Sequence, residues 1–283
     1  MDKKLLLRRM RKNKFFVVGT ILTVFLLLAV FLAPLYIRFS PDKSSLAERL
    51  VGADWSKGLN GHLFGTDAMG RDVFTRILIG GRYSLIIAFI VTFFRVIIGT
   101  VLGLIAGYTN NRTVDTVIMR ACDVFLSLPS LIVALAIIAV MGTSIRNLVI
   151  VLIVTDWMQY CRVIRNNVRV IRSQEYVRAS TAFGASHAHI LFKQILPNVT
   201  TPLLVLASQG IGSVVLVESG LSYLNLGIQP PTPSWCNMIA DGRLYLQTSP
   251  WLMIAPGIAL LLTAIAFNCL GDGLRDVLDP KTL

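Results

Sequence analysis

Three ionisable residues stand inside or beside oily sequence. Arg95 interrupts the apolar run 83–108, Asp156 follows the apolar octet 148–155, and Glu218 follows the run 199–217. An ionisable group inside a bilayer is expensive and marks a substrate or ion pathway by default. Arg95, Asp156 and Glu218 are therefore candidates for a translocation path. Asp156 and Glu218 are also the carboxylates that an ion-coupled secondary transporter would need. Both fall near the ends of their runs, where helix-end and headgroup roles are commoner. Arg95 shares a helical face with Gly99, Gly103 and Gly107, two overlapping G-x-x-x-G units that let another helix approach closely. It must point at protein or a cavity, as a structural ion pair or as a functional group.

Other chemistry is sparse. Cys122, Cys161, Cys236 and Cys269 are scattered without a C-x-x-C pair, which predicts neither disulfide nor zinc site. His187 and His189 are two apart and so lie on different helix faces, a poor metal grip. There is no H-E-x-x-H and no G-x-S-x-G, and Gly210-Ile-Gly212 lacks the preceding strand that a dinucleotide site needs. A phosphate-cradling G-x-x-x-x-G-K-[ST] is missing too, as is any Gly-Lys pair. We expect no enzyme site, no metal and no cofactor; any ATP that drives this chain must be held by another.

The densest polar signal is EYVRASTAFGASHAHILFKQILPN, residues 175–198. Before Gly184, the residues Tyr176, Val177, Ser180 and Phe183 recur at helical spacing. Ser173 is a candidate N-cap, and Glu175 falls in the first turn, where the helix dipole favours a carboxylate. After Gly184, a second stripe of Ile190, Leu191, Ile195 and Leu196 is capped by Ser186 and ended by Pro197. The expectation is two short amphipathic helices joined by a tight bend. Their ridges need a cover: the bundle, the headgroups, or the groove of a partner protein.

The elements that position these residues follow from composition. Of the 283 residues 54% are hydrophobic and 15% charged, against roughly 45–50% and about 25% in soluble domains. Runs 15–37, 83–108, 124–141, 199–217 and 250–271 have the length that a hydrocarbon core of about 30 Å demands. The octet 148–155 is too short for hydropathy alone to decide. Charge decides it: with six spans and the N-terminus inside, inner segments hold 17 Lys and Arg over 79 residues, outer loops 9 over 84. The expected protein is all-α and polytopic, with both termini cytoplasmic. Residues 1–14 form a basic N-terminus and 15–37 a retained anchor, too long for a secretory signal. Residues 38–82 form an outer loop whose end, with Val73, Phe74, Ile77 and Leu78 set among Arg71, Asp72 and Arg76, reads as an interfacial amphipathic helix or a capped elbow. Residues 83–283 make a five-helix core enclosing the inner loop 161–198. The net charge of +12 reflects this topology and contact with anionic lipid, not nucleic acid. Pro129, Pro202 and Pro256 are expected to kink their spans.

The stretch 175–198 resembles the cytoplasmic "EAA" loop of permease subunits from bacterial ATP-binding-cassette (ABC) importers. That pattern is E-A-A, three residues, Gly, nine residues, Ile, one residue, Leu-Pro. Ala179, Gly184, Leu196 and Pro197 fall in register, while Arg178, Ser180 and Gln194 stand where Glu, Ala and Ile would be. HLFGTDAMGRDVFTRILIGGRYSL (62–85), MRACDVFLSLPSLIVALAI (119–137), GIQPPTPSWCNMIADGR (227–243) and LTAIAFNCLGDGLRDVLDPK (262–281) narrow the resemblance to the peptide/nickel branch and its dipeptide and oligopeptide "C" permeases. Cys236 departs, where that family has Gly. The resemblance implies a type I ABC importer permease fold with six transmembrane helices in the bacterial inner membrane. Its implied partners are a second, homologous permease forming a heterodimer, two ATP-binding subunits, and an extracytoplasmic substrate-binding protein. It further implies that Glu175, Tyr176, Val177, Ala179, Phe183, Gly184, Leu196 and Pro197 couple the spans to the ATPases. The implied cargo is a di- or oligopeptide, with nickel or a metal chelate as the alternative.

Overall fold

The structure, a computed structural model, describes residues 3–36, 40–54, 56 and 61–278. The expected end of the anchor at Ile37 and the Asp279-Pro280 pair lie outside the described residues. Apart from one isolated bridge between Thr66 and Asp72, every regular element among the described residues is helical. Besides three short 3-10 turns, these are in order α1 (Lys3–Lys12), α2 (Lys14–Leu32), α3 (Val73–Tyr108), α4 (Arg112–Leu126), α5 (Ser130–Met141), α6 (Ile145–Arg172) and α7 (Glu175–Ala182). They are followed by α8 (His187–His189), a π-helical turn (Ile190–Ile195), α9 (Leu196–Tyr223), α10 (Trp235–Gly242) and α11 (Trp251–Leu278). Among the described residues five helical stretches are long and apolar enough to cross a bilayer, or six where the bent α4–α5 pair is counted as one span.

Glycine contacts give the helix directions. A Cβ at Gly99 would strike Tyr160 and Cys161, one at Gly103 would strike Cys161 and Ile164, and one at Gly107 would strike Val168, all within 3.0 Å. The stripe thus lies flush on α6, and rising numbers on α3 meet rising numbers on α6. Parallel neighbours need a return crossing between them, and only residues 109–144 can supply it. α9 runs back antiparallel, with Gly210 under Tyr160, and α11 reverses again, with Gly271 against Gln209 and Val205. α2 lies antiparallel on α11, Gly19 abutting Leu270 and Phe16 abutting Gly273. Both described chain ends therefore meet, and Asn13 Nδ2 donates to Asp276 at 3.0 Å. We call this the arginine-rich end, because α6 finishes there with Arg162, Arg165, Arg169 and Arg172. The other is the loop-rich end, carrying α10 and the described residues of 40–72.

Four local expectations change. The amphipathic segment at 73–82 is not a separate interfacial helix but the first turns of α3, which runs unbroken for 36 residues. Asp72 caps it, accepting from Thr75 N at 2.7 Å, and no proline follows to stop it. Its polar face is buried rather than solvated: Arg76 donates to Pro41 O at 2.8 Å and pairs with Asp67 at 3.7 Å. The third span, read as 124–141, breaks before Pro129 into two helices bent by 87°. Proline disfavours the helical conformation of the residue before it, and Ser127 Oγ closes α4 by donating to Val124 O at 2.7 Å. α4 is then pinned sideways on α6, where Asp115 accepts from Arg165 and Arg169, and Asp123 from Arg162. Ser173 caps no helix start; its hydroxyl donates to Val170 O at 2.8 Å and finishes α6, leaving Gln174 as the N-cap residue of α7. Pro197 does not end a helix either, since residues 187–223 form one 37-residue helical stretch. The π turn explains how: Leu196 N bonds Leu191 O, five residues back, so the widened turn accepts a proline without an N–H. Asn198 Nδ2 takes up the Gln194 carbonyl at 2.6 Å.

Candidate functional site

The segment 175–198 is a hairpin on the arginine-rich end, and its two sides differ. Val177, Ile190 and Ile195 are buried with Ile164, Val168 and Val199 of the bundle. Phe183 is 91% exposed, Phe192 67% and Tyr176 48%. The ridges expected to need a cover are therefore only partly covered by the bundle: Val177 lies on the inner face and Phe183 is left exposed at the tip. Glu175 and Ala179 are exposed on α7, as is Pro197, while Leu196 is half-buried. Gly184 makes the bend at φ +81°, with open space where a side chain would go. Only glycine enters that conformation without strain.

The hairpin is tied rather than loose. Gln194 Nε2 donates to Ser180 Oγ at 2.7 Å and Asn198 Nδ2 to the Tyr176 hydroxyl at 3.3 Å, so both arms are stitched together. Ser186 caps α8 by accepting from His189 N at 3.3 Å. The Tyr108 hydroxyl lies 2.7 Å from His187 Nδ1, and Arg172 donates to Tyr108 O at 2.8 Å. The first bond lashes the hairpin to the last turn of α3, and the second ties that turn to the end of α6. Sequence reasoning missed the anchor, because no local signal pairs Tyr108 with a residue 79 positions away.

Of the three intramembrane ionisable residues, two meet. Arg95 is 2% exposed, pairs with Asp156 at 2.9 Å and donates to Leu152 O at 2.7 Å. Glu218 stands apart, 1% exposed, accepting from Ser222 Oγ at 2.7 Å and Ser84 Oγ at 3.0 Å. It bolts α9 to α3, away from the Arg95–Asp156 pair. Beside that pair a cavity of about 100 Å³ is lined by Gln159, Tyr160, Gln209 and Ser213, none of which the sequence reading singled out. The available signal was spacing: Asp156, Gln159, Tyr160 and Asn167 share one face of α6. Among the described residues no three His, Cys, Asp or Glu side chains gather as metal ligands, and all four cysteines are free thiols.

The described residues thus form a bundle of candidate membrane-spanning helices with an ion pair inside it and an aromatic-tipped hairpin at one end. The profile described as "binding-protein-dependent transport system inner membrane component" matches residues 99–283, and that of the "N-terminal TM domain of oligopeptide transport permease C" matches residues 4–52. The chain is 40% identical over 275 residues to the dipeptide transport system permease protein DppC of Alkalihalophilus pseudofirmus, covering 97% of this chain and 88% of that protein. It is 35% identical over 273 residues to the oligopeptide transport system permease protein OppC of Bacillus subtilis, covering 96% and 88%. With the glutathione transport system permease protein GsiD of Pectobacterium atrosepticum it shares 40% identity over 220 residues, 78% of this chain and 73% of that protein. This chain belongs to the family of binding-protein-dependent transport system inner membrane components.

Proposed function

We propose that this chain is the permease subunit of an ATP-driven importer for di- and oligopeptides, and that residues 175–198 are the handle by which separate ATP-binding subunits move it. The observation that carries this reading is the hairpin's division of labour. Its inner side is built into the bundle while Phe183 and Phe192 project from it. A projecting aromatic is the side chain most suited to anchoring in a partner's pocket. The handle faces the cytoplasm, as do both termini, and the loop-rich end receives solute from an extracytoplasmic binding protein. A second, homologous permease completes the membrane unit. The named substrates of the relatives, dipeptides and oligopeptides, support peptide as the cargo class.

Force passes along short covalent and hydrogen-bonded routes. A pull on α7 reaches α6 through two intervening residues, α3 through Tyr108–His187, and α9 through the π turn. The test uses the assembled transporter in proteoliposomes with its peptide-loaded binding protein. Phe183→Ala should cut ATP-driven peptide uptake at least tenfold while the complex's permease remains folded. Unchanged uptake in that variant would remove the handle from the mechanism.

A further inference from the structure

A cavity of about 660 Å³ opens where α3, α6 and α7 meet at the arginine-rich end, bordered by Thr109, Arg169, Arg172, Ser173, Arg178 and Thr181. Its charge is one-sided. Arg169 shares the single carboxylate of Asp115 with Arg165. Arg172 donates only to neutral acceptors, Tyr108 O, Thr109 O and Asn110 Oδ1, so its charge is uncompensated. A guanidinium has five N–H groups, and these contacts take no more than three of them. Arg178 is exposed, and among the described residues it has neither an ion pair nor a side-chain hydrogen bond, even with Glu175 one turn earlier on α7. The hydroxyl protons of Ser173 and Thr181 are already given to Val170 O and Val177 O, so the arginines carry the site. Their planar forks match the oxygens of a phosphate.

Depth tells which anion fits. The apolar run 83–108 ends at the mouth of the cavity, where Thr109 closes α3. Val101 and Ile105 are exposed, and their spacing of four puts them on the face of α3 that leads to Thr109. A helix face that is apolar for two turns and then meets guanidiniums matches a phospholipid, with its acyl chain along the helix and its phosphate in the cavity. We propose that this cavity binds the phosphate of an anionic phospholipid of the cytoplasmic leaflet; the choice of leaflet rests on the importer reading above. Basic pockets between spanning helices on that side suit such headgroups. Because Arg172 ends α6 and Arg178 belongs to α7, a headgroup held by both ties the hairpin to the bundle at the membrane surface. The lipid composition then bears on how firmly the handle is held.

The test reconstitutes the complete transporter into vesicles of equal parts phosphatidylglycerol and phosphatidylcholine, repurifies it in mild detergent, and measures the retained lipid by mass spectrometry. The parent should retain phosphatidylglycerol in preference to phosphatidylcholine. Arg178→Gln should lower that preference about fivefold, the effect of one basic residue at an anionic surface. Arg178→Lys should keep most of it. Arg120→Gln, which removes an exposed arginine of α4 outside the cavity, should leave it unchanged. Equal preference in parent and Arg178→Gln, or equal losses in Arg178→Gln and Arg120→Gln, would overturn the site. Retention by the permease chain that vanishes once ATP-binding subunits are present would overturn it too, since a partner side chain would then fill the cavity. So would displacement of the lipid by inorganic phosphate, which would make a free anion the occupant. ATP-driven peptide uptake by the parent is scored separately in the same vesicles, and its absence would overturn the importer reading without altering the lipid preference.

Discussion

Phe183 closes α7 with its ring almost wholly in solvent, whereas Val177, less than two turns earlier, is 2% exposed. Burying a phenylalanine is worth roughly 1.5–3 kcal/mol, so a ring left outside contributes nothing of that to its own fold. Phe183→Ala should leave the unfolding free energy within about 0.5 kcal/mol of the parent, while Val177→Ala should lose about 1–3 kcal/mol. Thermal melts of this chain purified apart from any partner subunit separate the two. The Arg95–Asp156 pair makes a different prediction. Removing one partner of a buried pair leaves an uncompensated charge and costs about 3–5 kcal/mol. Arg95→Leu and Asp156→Leu should each destabilise on that scale, with the double variant far less harmed than the sum. Additive losses in the double-mutant cycle would mean that the two residues act separately. Gly103→Leu should likewise cost about 1–3 kcal/mol by overpacking on α6, whereas Gly257→Leu, with no atom within 4 Å of its Cβ position, should be tolerated.

Among elements, those legible in the sequence were set by local chemistry, and those missed were set by contacts far along the chain. The glycine stripe, the Gly184 bend and the Ser186 cap are written in residue types that have few other uses at those spacings. The fourth span was harder: Asp156 breaks its apolar run, and only its partner Arg95, 61 positions earlier by residue number, makes that carboxylate tolerable inside α6. Pro197 and Ser173 carried local signals that pointed the wrong way. A π turn absorbed the first, and the end of the preceding helix claimed the second. Hairpin stiffness makes its own prediction. Tyr108→Phe deletes the hydroxyl facing His187, a bond worth about 0.5–1.5 kcal/mol. Amide exchange across 175–198 should quicken roughly threefold to tenfold, with exchange in the middle of α3 unchanged. Equal exchange in parent and variant would show that the hairpin is held by its buried side alone.

At the scale of the whole molecule, the parallel packing of α3 on α6 forces the return crossing through α4 and α5, and the antiparallel pairs that follow bring both described chain ends to the hairpin's end of the bundle. One end then carries the hairpin and the four arginines that finish α6, and the other carries α10 and the described residues of 40–72. The central claim is that another chain grips the hairpin. A photo-crosslinking amino acid at position 183, in membranes containing the complete transporter, tests this most directly. The account predicts one dominant adduct with an ATP-binding subunit, changing in yield with nucleotide state. Adducts confined to lipid or to this chain's own bundle would contradict it.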